Sequence, residues 1–242
     1  MTLRAVVRVL AMALLLGVCL PGHLIAKLRG GSFFWASLFL GGAGRILGLR
    51  VRVEGQPRRR NVLYASNHIS WLDILALGGA APGRFVAKSE IERWPVIGWL
   101  ARFSGSVFVS RHRRSATRVQ ADAVATALGE GWPVSLFAEG GTGDGVRLDP
   151  FRASLFAAAV EAGTLVQPVA IDYGARSAEI AWPEGAAFSA EIKRMLNRPG
   201  PVPVTLRFLD PLDARAANRK MLAERSFDAV AAALGQKVPA AA

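Results

Sequence analysis

The chain has 242 residues, a length that fits one domain of ordinary size plus an anchor. Its 30 Lys and Arg side chains outnumber 18 Asp and Glu, and the resulting formal charge of +12 attracts anions. Because the basic residues form no recognisable nucleic-acid reader motif, we predict a membrane lipid surface and no nucleic acid as the partner. The single cysteine, Cys19, excludes an internal disulfide, and without a Cys/His cluster we predict no metal site.

Two apolar runs occupy residues 1–48. The first covers 5–20 and is broken by Pro21-Gly22, and the second covers 33–46. A cleaved signal peptide, one transmembrane helix that continues past Pro21, and a helical hairpin that dips into one leaflet all fit the first run. The second run is hard to explain in a secreted chain, so we predict that 1–48 is a retained helical membrane anchor. Whether it spans the membrane or dips into one leaflet stays open at this point.

From residue 49 onward, strand-like and helix-like stretches alternate along the chain. Strands are predicted at 51–53, 62–66, 84–88, 106–109, 134–137, 165–171, 178–182 and 202–208. Helices are predicted from 72 onward, as a short bent segment within 90–103, and at 115–128, 151–162 and 220–234. This alternation predicts one α/β domain over 49–242, with a largely parallel sheet and helices on both faces.

The stretch from Asn67 to Asp73 carries the strongest chemical signal. His68 follows the predicted strand 62–66, so a rigid element would hold its ring at an open rim. Asp73 stands five residues later, after a turn into a helix, and can fold back onto one imidazole nitrogen. Such a carboxylate fixes the tautomer and stabilises the imidazolium, which frees the other nitrogen to take a proton. For this spacing alone, a helix-capping Asp73 beside a bystander His68 is the alternative interpretation.

Three further stretches follow predicted strands, at the edge where open α/β sheets hold their ligands. Arg111 follows the fourth strand, and its guanidinium suits phosphate or carboxylate recognition. Glu139, Gly140 and Gly141 follow the fifth strand, where glycines can bring backbone N–H groups close to a ligand. The sixth strand is interrupted by Pro168 and is a candidate wall for an acyl groove.

In order and spacing, these stretches resemble the glycerolipid acyltransferases of the 1-acylglycerol-3-phosphate acyltransferase type. The motifs are Asn-His-x4-Asp at 67–73, Gly-x5-Arg at 105–111, Phe-x-Glu-Gly at 137–140 and Val-x-Pro-Val at 166–169. The resemblance covers most of 50–210. It implies transfer of a fatty acyl group from acyl-CoA or acyl-carrier protein to a lysolipid hydroxyl, with no further cofactor. Because acyl thioesters are found in the cytoplasm, we expect the anchor to hold the chain on the cytoplasmic face of the inner membrane.

The resemblance also implies roles for individual residues. His68 is the general base and Asp73 orients it. The acceptor is expected to contact Asn67, Arg111, Glu139, Gly140, Gly141, Thr142 and Asp144. Since the chain has no Gly-x-Ser-x-Gly elbow, we expect direct attack by the acceptor hydroxyl and no acyl-enzyme.

Two departures from the family pattern bear on the acceptor. The family commonly has Pro before the Glu and Thr-Arg after the Gly, whereas here Ala138 precedes the Glu and a Gly-Thr pair replaces Thr-Arg. The leading expectation is 1-acyl-sn-glycerol-3-phosphate, giving phosphatidic acid in phospholipid biosynthesis, with Arg147 or Arg152 replacing the lost arginine. The alternative is lyso-ornithine lipid, because 142–145 resembles the branch that acylates it and Asp144 can meet an ammonium.

Two hypotheses come from other classes. One is a non-catalytic membrane-bound protein that binds lipid, and the other is a hydrolase in which water replaces the acceptor. Thiol release from palmitoyl-CoA, measured with and without a lysolipid, separates them from an acyltransferase.

Overall fold

The computed structural model describes residues 2–109, 116–182 and 185–236, and an eight-stranded sheet runs through the middle of this part. The strands are β1 (Leu49–Glu54), β2 (Val62–Ser66), β3 (Arg84–Lys88), β4 (Val107–Val109), β5 (Val134–Phe137), β6 (Leu165–Asp172), β7 (Val202–Phe208) and β8 (Leu212–Asp213). Their order is β1-β7-β6-β2-β5-β3-β4, with β8 paired to β6. The pairs β6–β7 and β6–β8 are antiparallel, and the remaining pairs are parallel.

The described helices are α1 (Leu3–Leu28), α2 (Phe34–Leu47), α3 (Leu72–Ala80), α4 (Ile97–Phe103), α5 (Ala116–Gly129), α6 (Ala157–Ala162), α7 (Ser177–Ile180), α8 (Phe188–Asn197) and α9 (Arg219–Ala233). Short 3₁₀ turns lie at Ser89–Arg93, Ala153–Phe156, Gly174–Arg176 and Ala214–Ala216. The predicted α/β class, with a largely parallel sheet, is confirmed.

Strand β2 is the central strand, and all five of its residues are buried. Because side chains alternate along a strand, Val62 and Tyr64 enter one core and Leu63 and Ala65 enter the other. The first core is shared with α2, α3 and α8, and the second with α5, α6 and α9. Helices therefore cover both faces of the sheet, as the alternation predicted.

The predicted strand at 178–182 is wrong, because the chain forms the short helix α7 there. Alternation over five residues is a weak signal, and no neighbouring strand pairs with this segment among the described residues. Its carbonyl groups find another donor. The guanidinium of Arg194 donates to the carbonyls of Glu179, Ile180 and Ala181 at 2.6, 3.4 and 3.3 Å.

The interruption of the apolar run at Pro21 does not end the helix, because α1 continues from Leu3 to Leu28. A proline inside a helix removes one hydrogen bond and costs about 3 kcal/mol. Packing on both sides of Pro21 offsets that cost. Before it Leu15 lies against Gly42 of α2, and after it Gly22 lies so close to Trp35 that a β-carbon would be 2.3 Å from the ring.

Helix α1 lies along the body of the protein, with both of its ends in contact. At its start, the Thr2 hydroxyl donates to Asn197 Oδ1 at 2.6 Å, and Arg8 donates to three main-chain carbonyls at the end of α8. Near its other end, His23 packs on Phe103 of α4 with ring centroids 4.8 Å apart. Among the described helices, α1 is the one long and apolar enough to cross a membrane, by length and composition alone.

Candidate active site

The register of three parallel strands brings the predicted motifs to one edge of the sheet. Strand β2 lies between β5 and β6, and Ser66 is aligned with Phe137 and Val169. Because the strands run the same way, the residues two positions further on meet just beyond this point. These residues are His68, Glu139 and Ile171.

His68 and Asp73 form the predicted pair, with His68 Nδ1 2.9 Å from Asp73 Oδ2. The same oxygen accepts the main-chain N–H groups of Ile69 and Ser70 at 2.7 and 2.9 Å, which holds the carboxylate in the turn before α3. The other oxygen, Oδ1, accepts the hydroxyl of Tyr173 at 2.7 Å. Asp73 is fully buried, and the His68 side chain is 14% exposed. The carboxylate therefore keeps Nδ1 occupied and leaves Nε2 as the nitrogen that can accept a proton.

The plane of the His68 ring is set by an aromatic neighbour that we did not predict. Phe137, the last residue of β5, stacks on the ring with centroids 3.7 Å apart and an interplanar angle of 11°. Phe85 of β3 lies beyond Phe137 in a second, looser stack at 6.2 Å. The ring is held by Asp73 at one nitrogen and by Phe137 across its face.

Glu139 holds the main chain of His68. Its Oε1 accepts the His68 N–H at 2.5 Å, and its Oε2 accepts the Asp149 N–H at 2.9 Å. The Gly143 N–H donates to the His68 carbonyl at 2.7 Å. Segment 139–143 is therefore hydrogen-bonded to both the N–H and the carbonyl of His68. Burial raises the pKa of Glu139 to about 7, against the two backbone donors, which lower it; the charges of Asp149 and Asp73 raise it further.

Asn67 extends the pairing of β2 and β6 by one residue. Its Oδ1 accepts the N–H of Ile171 at 2.8 Å, and its Nδ2 donates to the Ile171 carbonyl at 2.9 Å. Asn67 is buried, and both polar ends of its amide are used by this main-chain partner. The side chain thus keeps the two strands together directly before His68.

The predicted glycines lie in the turn after β5. Gly140 has φ +81°, a left-handed conformation that favours glycine, and a β-carbon there would be 2.6 Å from Arg152 Nε. Gly141 faces open space, and Thr142 is half-buried. The exposed guanidinium of Arg152 is thereby seated directly on the Gly140 backbone.

Asp144 is exposed and shapes the loop that follows. Its Oδ1 accepts the N–H groups of Val146 and Arg147 at 2.7 and 2.9 Å. The same two hydrogen bonds lower the pKa of Asp144, so this carboxylate stays negative. The Gln236 side chain holds the loop from the other side, accepting the Leu148 N–H at 2.9 Å and donating to the Val146 carbonyl at 3.2 Å.

A cavity of about 360 Å³ opens beside His68. The charged side chains that line it are Glu139, Arg147 and Asp172, and Asn67 and Gln236 add amide groups. Asn67, His68 and Glu139 are therefore brought together, with Gly140, Gly141, Thr142 and Asp144 in the adjoining turn. Arg111 lies outside the described residues, so its predicted role stays a prediction.

Tyr173 is the residue whose absence from our prediction matters most. It follows β6 by one position and lies two residues beyond Ile171, at the same edge of the sheet. The rule that singled out residues after the other strands applies here too, but the parallel pairing of β6 with β2 was needed to use it. In the described part of the chain, no three His, Cys, Asp or Glu side chains are grouped so that they could hold a metal ion.

A family model and two curated proteins match this chain over different shares of its length. The family model described as Acyltransferase matches residues 50–172. The lyso-ornithine lipid O-acyltransferase of Rhizobium meliloti (strain 1021) is 42% identical over 193 residues, which are 72% of this chain and 66% of that protein. The 1-acyl-sn-glycerol-3-phosphate acyltransferase of Neisseria gonorrhoeae is 41% identical over 127 residues, 52% of this chain and 50% of that protein.

Among solved structures, the crystal structure of the 1-acyl-sn-glycerophosphate acyltransferase from Thermotoga maritima matches with a TM-score of 0.68. The match covers 98% of this chain and 100% of that one, at 22% sequence identity. At this identity the similarity establishes a shared fold.

Proposed function

Since the chain belongs to the acyltransferase family, we propose that it transfers a fatty acyl group from acyl-CoA or acyl-carrier protein to the free hydroxyl of a lysolipid. The observation that carries this proposal is the buried Asp73 carboxylate on Nδ1 of His68, whose ring lines a cavity. A base in this setting suits an acceptor hydroxyl better than a passive lipid-binding site does. We further propose that the acceptor is lyso-ornithine lipid.

In the proposed reaction, His68 Nε2 takes the proton of the acceptor hydroxyl while the hydroxyl oxygen attacks the thioester carbonyl. The carbon–sulfur bond of the resulting tetrahedral species then breaks. The imidazolium, stabilised by Asp73, returns its proton to the departing thiolate, so the products are an ester and a free thiol. General base catalysis of this kind contributes about a hundred- to ten-thousand-fold.

The neighbouring polar residues divide into two proposed roles. The side chain of Asn67 is hydrogen-bonded to the main chain of Ile171, and that of Glu139 accepts the N–H groups of His68 and Asp149. We therefore assign both residues to positioning the base. Acceptor contacts are assigned to the turn and loop from Gly140 to Arg147, together with Arg111.

Two observations favour a headgroup without phosphate. The match to the Rhizobium protein extends over 72% of the chain, against 52% for the Neisseria protein. An ornithine headgroup carries one carboxylate and one ammonium. Asp144 and Arg147 offer the opposite pair of charges on a single exposed turn, and Arg147 lines the cavity.

The second candidate acceptor is 1-acyl-sn-glycerol-3-phosphate. It is favoured by the two guanidinium groups of Arg147 and Arg152, which flank the turn after β5 and could together meet a phosphate monoester. Asp144 disfavours this acceptor, because its negative carboxylate would repel a phosphate group held beside it.

The deciding experiment incubates purified protein with palmitoyl-CoA and one lysolipid at a time, and follows thiol release and lipid mass. Acylation of lyso-ornithine lipid alone supports the proposal, and acylation of the lysophosphatidic acid alone replaces the acceptor. Thiol release without any lysolipid indicates a hydrolase, and no release from either palmitoyl-CoA or palmitoyl-acyl-carrier protein under any condition indicates a non-catalytic lipid-binding protein.

We propose that residues 1–48 hold the protein on the cytoplasmic face of the inner membrane, with α1 lying in one leaflet. Two observations support a helix in the plane of the membrane over a spanning one. Both ends of α1 contact the body of the protein, at Asn197 and at Phe103. An apolar stripe, exposed along the whole helix, consists of Leu3, Val7, Leu10, Leu14, Val18, Ile25 and Leu28.

A further inference from the structure

The carboxylate of Asp73 has two oxygens with different partners. Oδ2 accepts three donors, one of which is His68, whereas Tyr173 is the donor that reaches Oδ1 among the described residues. Tyr173 lies outside all four motifs that carry the family resemblance, and the proposed reaction does not use it. We propose that Tyr173 is a positioning residue for catalysis, which holds the Asp73 carboxylate so that Oδ2 stays directed at His68 Nδ1.

The physical need for such a residue follows from burial and torsion. The terminal torsion of an aspartate is broad, so a carboxylate anchored at one oxygen alone can rotate away from its partner. Asp73 is fully buried, and a buried carboxylate oxygen without a hydrogen-bond donor carries an uncompensated desolvation cost. The Tyr173 hydroxyl, 2.7 Å from Oδ1, meets both requirements at once.

Tyr173 can act only as a donor here. Burial, followed by the negative charge of Asp73, raises the pKa of the phenol well above its ordinary value, so the hydroxyl keeps its proton throughout the working pH range. It therefore supplies a hydrogen bond to Asp73 and does not compete with His68 as a base.

The main chain around Tyr173 is fixed independently of the pair. Asp172, the last residue of β6, accepts the Gly174 N–H at 2.7 Å and pairs with Arg207 of β7 at 2.8 Å. These contacts hold the turn on both sides of Tyr173. The hydroxyl is thus presented to Asp73 by a rigid element, which is the arrangement expected of a preorganised site.

The first test is Tyr173→Phe in the full chain, assayed in detergent with whichever lysolipid the wild-type protein acylates. We expect kcat to fall roughly ten- to a hundredfold, by analogy with the loss seen when a hydrogen-bonded partner that orients a metal-binding histidine is removed. The KM values should change little, because Tyr173 is buried and is not among the residues that line the cavity beside His68. The matched control is Tyr64→Phe, since Tyr64 is the second of only two tyrosines and its buried hydroxyl donates to the Arg58 carbonyl before β2.

The pH profile separates positioning from a general loss of structure. Without the Tyr173 donor, Oδ2 can turn away from His68 Nδ1 and the imidazolium loses part of its stabilising charge, so the acid limb of kcat/KM should move to lower pH. Other charged groups near the pair are Glu139 and Asp149, with Arg147 and Asp172 in the wall of the same cavity. All four are unchanged in the variant, so a displaced limb reports on the pair itself.

A double substitution tests whether Tyr173 works through Asp73. In an Asp73→Asn background there is no charge left to hold, so adding Tyr173→Phe should cost less than twofold in kcat, far below its cost in the wild-type background. Full additivity of the two losses, or a Tyr173→Phe protein with wild-type kcat and an unmoved pH profile, overturns the inference.

If Tyr173→Phe folds poorly, the tyrosine can be modified without being removed. In Tyr64→Phe protein, biosynthetic incorporation of a fluorotyrosine alters Tyr173 alone, and its more acidic phenol donates a stronger hydrogen bond. The stronger bond draws negative charge from Asp73 while Oδ2 keeps its direction, so the acid limb should move to lower pH without the loss of kcat expected for Tyr173→Phe, and an unmoved limb overturns the inference. The inference rests on the proposed acyl transfer. A wild-type protein that acylates nothing overturns both the acyl transfer and the role of Tyr173. An active wild-type protein whose kcat and pH profile do not respond to changes at Tyr173 overturns only the role of Tyr173.

Discussion

A single buried carboxylate with four hydrogen-bond donors organises the residues around the proposed base. Asp73 joins the turn at Ile69 and Ser70, the ring of His68 and the hydroxyl of Tyr173. Because each donor comes from a rigid part of the fold, the imidazole is placed before any substrate arrives, and little reorganisation is required during reaction.

The first prediction concerns the base. His68→Ala should lower kcat at least roughly a hundredfold. The other carboxylates that line the cavity, Glu139 and Asp172, already accept main-chain N–H groups, so their oxygens are engaged. The loss of folding stability should be small, since the ring lies at the cavity and is not enclosed by the core. Thiol release and thermal unfolding measure the two effects. His23→Gln, which alters a histidine in α1, is the control and should retain activity; more than a few per cent of residual activity in His68→Ala contradicts the assignment.

Glu139 makes stability depend on pH. Its pKa rises from 4.5 to about 7 on folding, so the folded protein binds this proton more tightly than the unfolded chain does. The stabilising contribution is complete below about pH 4.5 and is lost as the pH rises through about 7. Relative to Glu139→Gln, the wild-type free energy of unfolding should therefore fall by at most a few kcal/mol over this window, at about 1.4 kcal/mol per pKa unit.

Chemical denaturation of both proteins at a series of pH values measures this difference. The amide nitrogen of Gln meets one of the two main-chain donors unfavourably, which lowers stability by an amount that does not vary with pH. The result to compare is therefore how the difference in unfolding free energy between the two proteins changes with pH, and not its absolute size. A difference that stays constant between pH 4.5 and 7 would falsify the assignment of a raised pKa to Glu139.

Asp144→Asn isolates the charge of the acceptor loop. The amide oxygen of Asn can still accept the N–H groups of Val146 and Arg147, so the turn is kept while the negative charge is lost. The KM for lyso-ornithine lipid should rise about two- to fivefold, the size of an exposed ion pair. The KM for lysophosphatidic acid should stay the same or fall slightly. Steady-state kinetics with both acceptors decides, and an equal rise in both KM values counts against a contact with the ammonium.

At the scale of elements, the packing of α2 on α3 connects the N-terminal segment to the site. Ser37 of α2 donates to the carbonyl of Gly78 at 2.7 Å, and the two backbones touch at Gly41 and Gly79. Helix α3 begins with Leu72 and Asp73, so a displacement of α2 that shifted α3 would also shift the Asp73 carboxylate. The close approach requires glycine, because neither backbone leaves space for a side chain.

Gly79→Ala tests this contact. A β-carbon at 79 would be 2.6 Å from the Gly41 Cα, which forces the helices apart and should destabilise the protein by about 1–3 kcal/mol, as overpacking does. Gly17→Ala in α1 is the control, because nothing lies within 4 Å of its β-carbon position. It should raise stability by up to about 1 kcal/mol through helix propensity. Thermal unfolding measures both, and equal effects of the two substitutions would contradict the packing argument.

At the scale of the whole molecule, α1 has one face on the protein and one face of exposed apolar side chains. Its basic first turns are tied to the end of α8 through Thr2 and Arg8, so the helix cannot leave the body without breaking several hydrogen bonds. Helix α4, which contacts α1 through Phe103 and His23, carries the exposed Trp99. Tryptophan is typical of membrane interfaces.

Replacing the middle of the apolar stripe tests this arrangement. The triple substitution Leu10→Gln, Leu14→Gln and Val18→Gln should release the protein from vesicles containing anionic lipid, because each buried methylene contributes about 0.8 kcal/mol to binding. Vesicle flotation measures the bound fraction. Val51→Gln with Val160→Gln, exposed apolar positions on β1 and α6, is the control and should leave binding intact. A triple variant that stays bound after an alkaline wash would favour a spanning helix instead.

The pattern of residues along the chain determined the elements and the local half of the site. Alternating strands and helices implied the α/β sheet. The spacing of His68 and Asp73 allowed the two side chains to meet, and the three other motifs in order made that pairing the prediction. The positions after the strands also located Glu139 and its turn. These features depend on neighbours within a few residues, which a sequence displays directly.

The tertiary structure alone decided the contacts that cross the chain. Because β6 pairs with β2, Tyr173 donates a hydrogen bond to Asp73, which lies a hundred residues earlier, and the amide of Asn67 accepts the N–H of Ile171. The predicted strand at 178–182 gives way to helix α7 (Ser177–Ile180), whose end is held by Arg194. Helix α1 runs through Pro21, with the body of the protein packed against both sides of that residue. In each case the free energy comes from a partner distant in sequence, and local propensity is too weak to reveal it.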